Sequence, residues 1–230
     1  MKIALVGYGK MGKLIDQLAP EYQSDVILRL DENNNANCEG LTKDNFAGVD
    51  VAIEFSIPSV CVENIERLAA LGVNTVVGTT GWTGHMDLVR AAVEKNGTGL
   101  VWSPNFSVGV NVFFKLVAEA ARLLANEPEY GAWAWEIHHN TKKDAPSGTL
   151  LKLVDEMKKS GYDRNIDVSS NRAGAHPGTH EIGFDSTADT IVIRHAARSR
   201  EGFARGALKA AQWIEGKNGV HEFSEVLFGR

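Results

Sequence analysis

Short runs of β-branched and other apolar residues recur along the first half of the chain. They are Lys2–Val6, Val26–Leu30, Val51–Phe55, Thr75–Val77 and Gly99–Ser103, with starts 24, 25, 24 and 24 residues apart. Each run is nearly continuous in apolar character, which predicts strands covered on both faces. Most intervals carry helical periodicity: Met11, Leu14, Ile15 and Leu18 share one stripe, and Cys61, Ile65, Leu68 and Ala69 share another. The interval from Asp31 to Asp50 is polar and Asn-rich, and reads as a loop with little helix. Strand, helix and strand at this spacing predict parallel βαβ units, hence an α/β chain with a doubly wound parallel sheet.

The rhythm changes after Pro104. One long helical stripe, Phe113, Phe114, Val117, Ala120, Ala121 and Leu124, predicts a helix over Val110–Leu124. Trp133–His139, Thr179–Phe184 and Thr190–His195 alternate between apolar and polar residues, the pattern of an open antiparallel or mixed sheet with one face buried. A helix from Phe203 to Ile214 follows. The expected organisation is a first domain, 1–108 with the returning tail 204–230, and a second α+β domain, 109–203.

Composition narrows the class. The 230 residues are 43% hydrophobic and 23% charged, which excludes a disordered chain. No apolar stretch is long enough to span a membrane, and the opening Met1–Gly7 is too short in apolar character for a signal peptide. A net charge of −5 argues against nucleic acid as the main partner. Cys38 and Cys61 are the only cysteines and read as free thiols, which implies a reducing, cytoplasmic setting.

Candidate chemistry lies at two places. Gly7-Tyr8-Gly9-Lys10-Met11-Gly12 is a GxGxxG loop between the first strand and its helix. Glycines there permit a tight turn and let a pyrophosphate approach backbone N–H groups at a helix N-terminus, so the sheet reads as Rossmann-like. Asp31, at the end of the second strand, is placed to accept from ribose hydroxyls. Asp31 and Glu32 disfavour a 2′-phosphate, so NADH is favoured over NADPH, although Lys10 and Lys13 offset part of that repulsion. Gly78-Thr79-Thr80 and Ser103-Pro104-Asn105-Phe106 follow the fourth and fifth strands, on the sheet edge where such folds bind ligands, and are assigned to the nicotinamide side.

The second place is Glu136-Ile137-His138-His139-Asn140-Thr141-Lys142-Lys143-Asp144-Ala145-Pro146-Ser147-Gly148-Thr149. On a strand, Trp133, Trp135 and Ile137 take one face and Glu136, His138 and Asn140 take the other, which reads as a polar face. His139 points away from His138, so the pair is poorly placed to chelate a metal, and no metal is expected. After the Asp144–Pro146 turn, Ser147 or Thr149 caps a helix whose stripe is Leu150, Leu151, Val154 and Met157 and whose stop is Gly161. Its first N–H groups, at Gly148 and Thr149, form an anion site beside Lys142 and Lys143. A proton donor, a cation and a helix end together suit a carboxylate-bearing substrate reduced by a dinucleotide.

This segment closely resembles the signature of the dihydrodipicolinate (4-hydroxy-tetrahydrodipicolinate) reductase family, E-x-H-H-x-x-K-x-D-A-P-S-G-T, with every fixed position present from Glu136 to Thr149. The glycine loop, Gly78–Gly81, Asn105–Asn111, Arg172–Gly174, Gly178–His180 and Ser199–Ala207 also look like family positions. The resemblance implies NAD(P)H-dependent reduction of a hydroxylated cyclic dicarboxylate to tetrahydrodipicolinate with loss of water, in lysine and diaminopimelate biosynthesis. It implies His138 as proton donor and acceptor, Lys142 as a further proton donor, and His139, Gly148 and Thr149 as ligands of the substrate carboxylates. It also implies a homotetramer built through the second domain's sheet. Two departures stand out: the chain is short between its second and third strands, and Glu32 occupies a position where many members carry arginine. Other readings are a different two-domain dehydrogenase acting on a small amino or keto acid, and an NADH-binding redox sensor. A nucleic-acid binder using Arg194–Arg200 is disfavoured by the acidic balance.

Overall fold

The computed structural model describes residues 1–229, which fall into two compact units: 1–108 with 201–229, and 109–200.

In the first unit six parallel strands lie in the order β10-β5-β4-β3-β1-β2. They are β1 (Lys2–Val6), β2 (Asp25–Leu30), β3 (Val51–Glu54), β4 (Asn74–Val77), β5 (Gly99–Trp102) and β10 (Gly219–Glu222). β1 and β3 are neighbours, and the winding reverses between them, so a crevice opens beyond their carboxyl ends. Alternate residues of the central strands feed two cores. Ile3, Leu5, Val51 and Ile53 meet α1 (Lys10–Leu18) and α6 (Glu201–Ile214); Ala4, Val6, Ala52 and Val77 serve the other face with α2 (Pro58–Ala70) and α3 (Met86–Asn96). Burial on both faces accounts for the apolar runs of β1, β3 and β4. β2 is the exception: it is an edge strand, and its residues alternate between exposed and covered.

β10 escapes the apolar-run criterion because Gly219-Val220-His221-Glu222 has one strongly apolar residue. It pairs with β5 all the same, and a short helix, α7 (Phe223–Phe228), follows it. The 31–50 segment is mostly turns, with a 3-10 turn at Ala36–Cys38, yet it is not detached: Cys38, Leu41 and Phe46 are buried against Leu30 and Leu68.

Helix α6 comes close to the chain at Gly206, where an added Cβ would lie 1.7 Å from the Phe106 carbonyl oxygen. Relief would require moving backbone in a filled core. We expect Gly206→Ala to destabilise the protein by about 3 kcal/mol, the upper end of overpacking costs, read as a lowered urea midpoint with an unchanged slope.

The second unit is a four-stranded sheet, β7-β6-β8-β9, covered on one face by α4 (Val108–Leu124) and α5 (Gly148–Lys159). Its strands are β6 (Gly131–His138), β7 (Ile166–Arg172), β8 (Thr179–Asp185) and β9 (Thr190–Ala196). β8 and β9 run antiparallel, but β7 is parallel to β6, to which it is joined through α5, so the sheet is mixed. β7 is absent from the sequence expectation because Ile166–Arg172 is polar and mostly exposed.

The structure reverses the expected character of the β6 faces. Ala132, Ala134, Glu136 and His138 are the buried set, while Trp133, Trp135 and Ile137 lie half-buried on the open face. Small alanines let the helices approach the sheet. The indole of Trp133 is packed against Gly183, where a Cβ would come within 2.2 Å of the ring.

Candidate functional site

The glycine loop leaves β1 at Gly7, whose φ of +99° and whose approach to the Phe55 carbonyl (2.2 Å from an added Cβ) both require glycine. Its N–H donates to the Leu30 carbonyl at 2.8 Å. Nothing lies within 4 Å of a Cβ on Gly9, so the space above it is open, while Gly12 is pressed against the Gly7 carbonyl. α1 starts at Lys10 with no side-chain cap on its first-turn N–H groups.

Two cavities adjoin here. One, of about 650 Å³, is bordered by Gly7, Tyr8, Gly9, Lys13, Asp31 and Asn37. The other, of about 410 Å³, joins Gly9, Lys10 and Met11 to Gly78, Thr79 and Thr80. Gly9, Phe55 and Ser56 border both, which makes them one groove along the sheet edge. Ser103, Pro104, Asn105 and Phe106 are not among the residues lining either cavity. Ser103 and Asn105 form a self-bonded turn, and Phe106 is 2% exposed, packed on Phe55 and Phe223.

Sequence reasoning passed over the Phe55–Ile57 loop and the buried polar group beneath it. Glu54 is fully buried and accepts from Ser56, from the Cys61 thiol at 3.3 Å and from Asn64 at 3.3 Å; the Cys38 thiol donates to Asn64 at 3.2 Å. Burial, followed by the charge of Glu54, pushes the Cys61 thiol far above its ordinary range, so it carries no thiolate for nucleophilic chemistry.

In the second unit, β6 ends at His138, and the chain then turns through a cis Ala145–Pro146 bond into α5. Ser147 is the helix cap, its hydroxyl accepting from Leu150 N at 3.2 Å; Gly148 and Thr149 form the first turn. Lys142 Nζ is held by Asp144 at 2.7 and 3.0 Å. His139 is half-buried and hydrogen-bonded to Thr141 at 2.7 Å.

His138 sits on the covered face with its Nδ1 buried and unpartnered, 3.5 Å from Glu136 Oε2. Gly178, at φ +134°, presses on the ring: a Cβ there would lie 3.0 Å from His138 Nε2. Burial lowers the His138 pKa, Glu136 opposes the shift, and Lys142 and Arg172 add to it. His180, directly across from Glu136 on β8, stacks edge-on against His138 at 5.0 Å. Burial and the neighbouring His138 push its pKa down to about 4.

Glu136 organises this cluster. Its Oε1 accepts from Ser147 N (2.9 Å), Ser170 Oγ (3.0 Å) and Arg172 Nη2 (3.2 Å), and its Oε2 accepts from the Ser147 hydroxyl. Burial alone would raise its pKa, but these donors outweigh it and hold the carboxyl below the usual range. The ligand atoms of Glu136, His138 and His180 lie within 4.8 Å of one another, a grouping that sequence spacing could not reveal because His180 comes from a cross-strand partner. The carboxylate in that grouping is already engaged by two hydroxyls, an amide and a guanidinium. Period-2 alternation carried part of the signal, since it places Glu136 and His138 on one face.

The parallel sheet, its glycine loop and an acid at the end of β2 define a nicotinamide-dinucleotide oxidoreductase with a separate mixed-sheet domain carrying acid–base groups. Comparisons with known proteins specify which one. The sequence profile described as "Dihydrodipicolinate reductase, N-terminus" matches residues 1–106, and "Dihydrodipicolinate reductase, C-terminus" matches residues 109–227. The chain is 34% identical over 241 residues to the 4-hydroxy-tetrahydrodipicolinate reductase of Christiangramia forsetii, covering 99% of this chain and 98% of that one. It is 40% identical to that of Methanosarcina mazei over 194 residues, 77% of this chain and 73% of that one. Among solved structures, dipicolinate-bound dihydrodipicolinate reductase from Paenisporosarcina sp. TG-14 superposes with a TM-score of 0.82 at 20% identity, covering 96% and 97% of the two chains. The chain belongs to the dihydrodipicolinate reductase family. It is an NAD(P)H-dependent oxidoreductase of lysine biosynthesis that reduces 4-hydroxy-tetrahydrodipicolinate.

Proposed function

We propose that in this reaction His138 is the proton donor and acceptor, Lys142 a second proton donor, and His139, Gly148 and Thr149 the ligands of the substrate carboxylates. The observation that carries the assignment is the clustering in one unit of a buried imidazole, an ammonium group and the capped start of α5. The dinucleotide supplies hydride. The protein supplies a proton, neutralises two carboxylates and holds the ring being reduced. The dinucleotide lies in the groove bordered by Gly7, Tyr8, Gly9, Lys10, Met11, Thr79 and Thr80, with Gly12 and Gly78 giving close approach and Asp31 on the ribose. Ser103, Pro104, Asn105 and Phe106 follow β5 at the same edge of the sheet, on the nicotinamide side, with Phe106 packed on Phe55 of the groove. The test is a coupled assay: the chain is mixed with the synthase that makes the unstable substrate, and loss of NADH absorbance is followed. No substrate-dependent loss would overturn the reading.

NADH is the preferred donor. Asp31 and Glu32 stand at the ribose end, Asp31 Oδ1 accepting from Asn33 N at 2.8 Å, while the neighbouring cation Arg29 is tied to Asp16 by two bonds of 2.7 and 2.8 Å. A 2′-phosphate would meet carboxylates, and the paired Arg29 guanidinium is not free to receive it. We expect kcat/KM for NADH to exceed that for NADPH by about tenfold, equivalent to one modest charge repulsion; equal or reversed values in steady-state assays refute this.

The protein acts in the cytoplasm, a setting supported by two buried thiols that remain unpaired. It assembles as a homotetramer through the open face of the second sheet. Trp133, Trp135 and Ile137 on that face, with Val192 of β9 alongside, leave an apolar surface of the kind that subunit contacts cover.

A further inference from the structure

We infer that Glu136 is a positioning residue for catalysis, a single buried carboxylate that fixes the His138 ring through Nδ1 and the start of α5 through Ser147. The inference rests on the reading of His138 as the proton donor, and it adds a function for a residue that would not itself touch the substrate.

The geometry points the carboxylate at both. Glu136 is fully buried, and a charge so placed is costly unless it is paired and hydrogen-bonded. Its Oε1 is saturated by Ser147 N, Ser170 and Arg172. Its Oε2 accepts from the Ser147 hydroxyl and faces two imidazoles, His138 Nδ1 at 3.5 Å and His180 Nε2 at 3.2 Å. His138 Nδ1 is buried and makes no other bond. Catalytic hydrogen bonds are often long in unliganded enzymes and tighten in the substrate complex. Closing the 3.5 Å separation in the substrate complex would put Nδ1–H on Oε2.

Which nitrogen of a histidine works is set by the bond that the other one makes. With Nδ1–H committed to Glu136, Nε2 is the atom that gives and takes the proton. After donation the ring is neutral and keeps its hydrogen at Nδ1. Gly178, pressing on the ring from the start of β8, limits the tilt that would break this arrangement. Because Ser147 both bonds Glu136 and caps α5, the acid and the proposed carboxylate-binding turn share one anchor.

The groups facing His138 come from every surrounding element. Glu136 on β6 favours its protonated form, and Asp144 in the following loop does so more weakly; Lys142 in that loop and Arg172 on β7 oppose it. His180 on β8 is the adjacent ring, with His195 of β9 beyond it. Replacing the Glu136 charge by an isosteric amide therefore shifts the balance in one direction: the imidazolium loses its strongest support.

The experiment has two arms. In the first, Glu136→Gln is compared with the parent for kcat, KM, dinucleotide Kd and the pH dependence of kcat. The alkaline limb, on which the donor is lost by deprotonation, is expected to move to lower pH by about one unit, with kcat reduced and dinucleotide Kd unchanged. Glu136→Asp, which keeps the charge, is expected to return the limb toward its parental position. In a His138→Gln background, Glu136→Gln is expected to cost nothing further in kcat. A folded Glu136→Gln protein whose limb stays in place overturns the proposal. The second arm needs no variant: in 15N-histidine-labelled parent protein, the ring nitrogens of neutral His138 report the tautomer. The Nδ1–H form is expected, and an Nε2–H form overturns the proposal. This arm separates the two readings, because the tautomer is read whether or not His138→Gln abolishes turnover.

Discussion

His138→Gln lowers kcat by about 10²–10⁴-fold, the usual worth of a placed acid or base, while the dinucleotide Kd stays within error of the parent. The two halves of this expectation come from different units of the chain. The groove proposed for the dinucleotide is bordered by Gly7–Met11, Phe55–Ser56 and Gly78–Thr80, none of which is near His138 in sequence or belongs to its unit. Glutamine has nearly the reach of the imidazole and can accept or donate a hydrogen bond, but it cannot be protonated at working pH. The lost quantity is the proton itself. Steady-state turnover together with fluorescence titration of NADH checks the expectation, and wild-type kcat in the variant removes His138 from the mechanism. Burial lowers the His138 pKa, so the donor form is depleted as pH rises, beginning below the ordinary histidine range. Activity that depends on the protonated ring should therefore fall on the alkaline side earlier than an unperturbed histidine would dictate.

Lys142→Ala should lower kcat by a similar order and also raise the KM for the dicarboxylate several-fold, the second effect being what distinguishes it from His138→Gln. An ammonium group beside a dianionic substrate contributes to ground-state binding as well as to the transition state, so its removal is felt in both constants. In this structure Nζ is paired with Asp144, a side chain that is itself largely exposed. A substrate carboxylate would compete with Asp144 for that cation. Salt sensitivity of KM in the parent, reduced in the Lys142→Ala protein, provides an independent check. An unchanged KM with lowered kcat would leave Lys142 as a proton donor without a binding function.

Much of this was legible in the chain itself, for identifiable reasons. The parallel strands of the first unit are apolar along their length because helices cover both faces, so β1, β3 and β4 announce themselves; β10 and β7 do not, because one is four residues with a single strong hydrophobe and the other is a polar edge strand. Alternation along β6 correctly separated Trp133, Trp135 and Ile137 from Glu136 and His138, but it could not tell which face the helices cover. Composition pointed to the tryptophan face; packing chose the face with Ala132 and Ala134, where a helix can come close. The same limit hid the full Glu136 cluster. Ser147 is eleven residues away, and Ser170, Arg172 and His180 arrive from two neighbouring strands, a convergence fixed by strand register that no local pattern encodes.

The placement of the two cysteines gives the molecule a built-in clock. Both belong to the parallel-sheet unit, both are 1% exposed or less, and the other unit has none. An alkylating reagent in water cannot reach either sulfur until the surrounding structure opens, so the labelling rate measures how often that unit breathes. A dinucleotide in the proposed groove, which Asn64 lines, would slow the reaction by holding the same segment shut, turning a simple thiol count into a record of ligand-dependent opening.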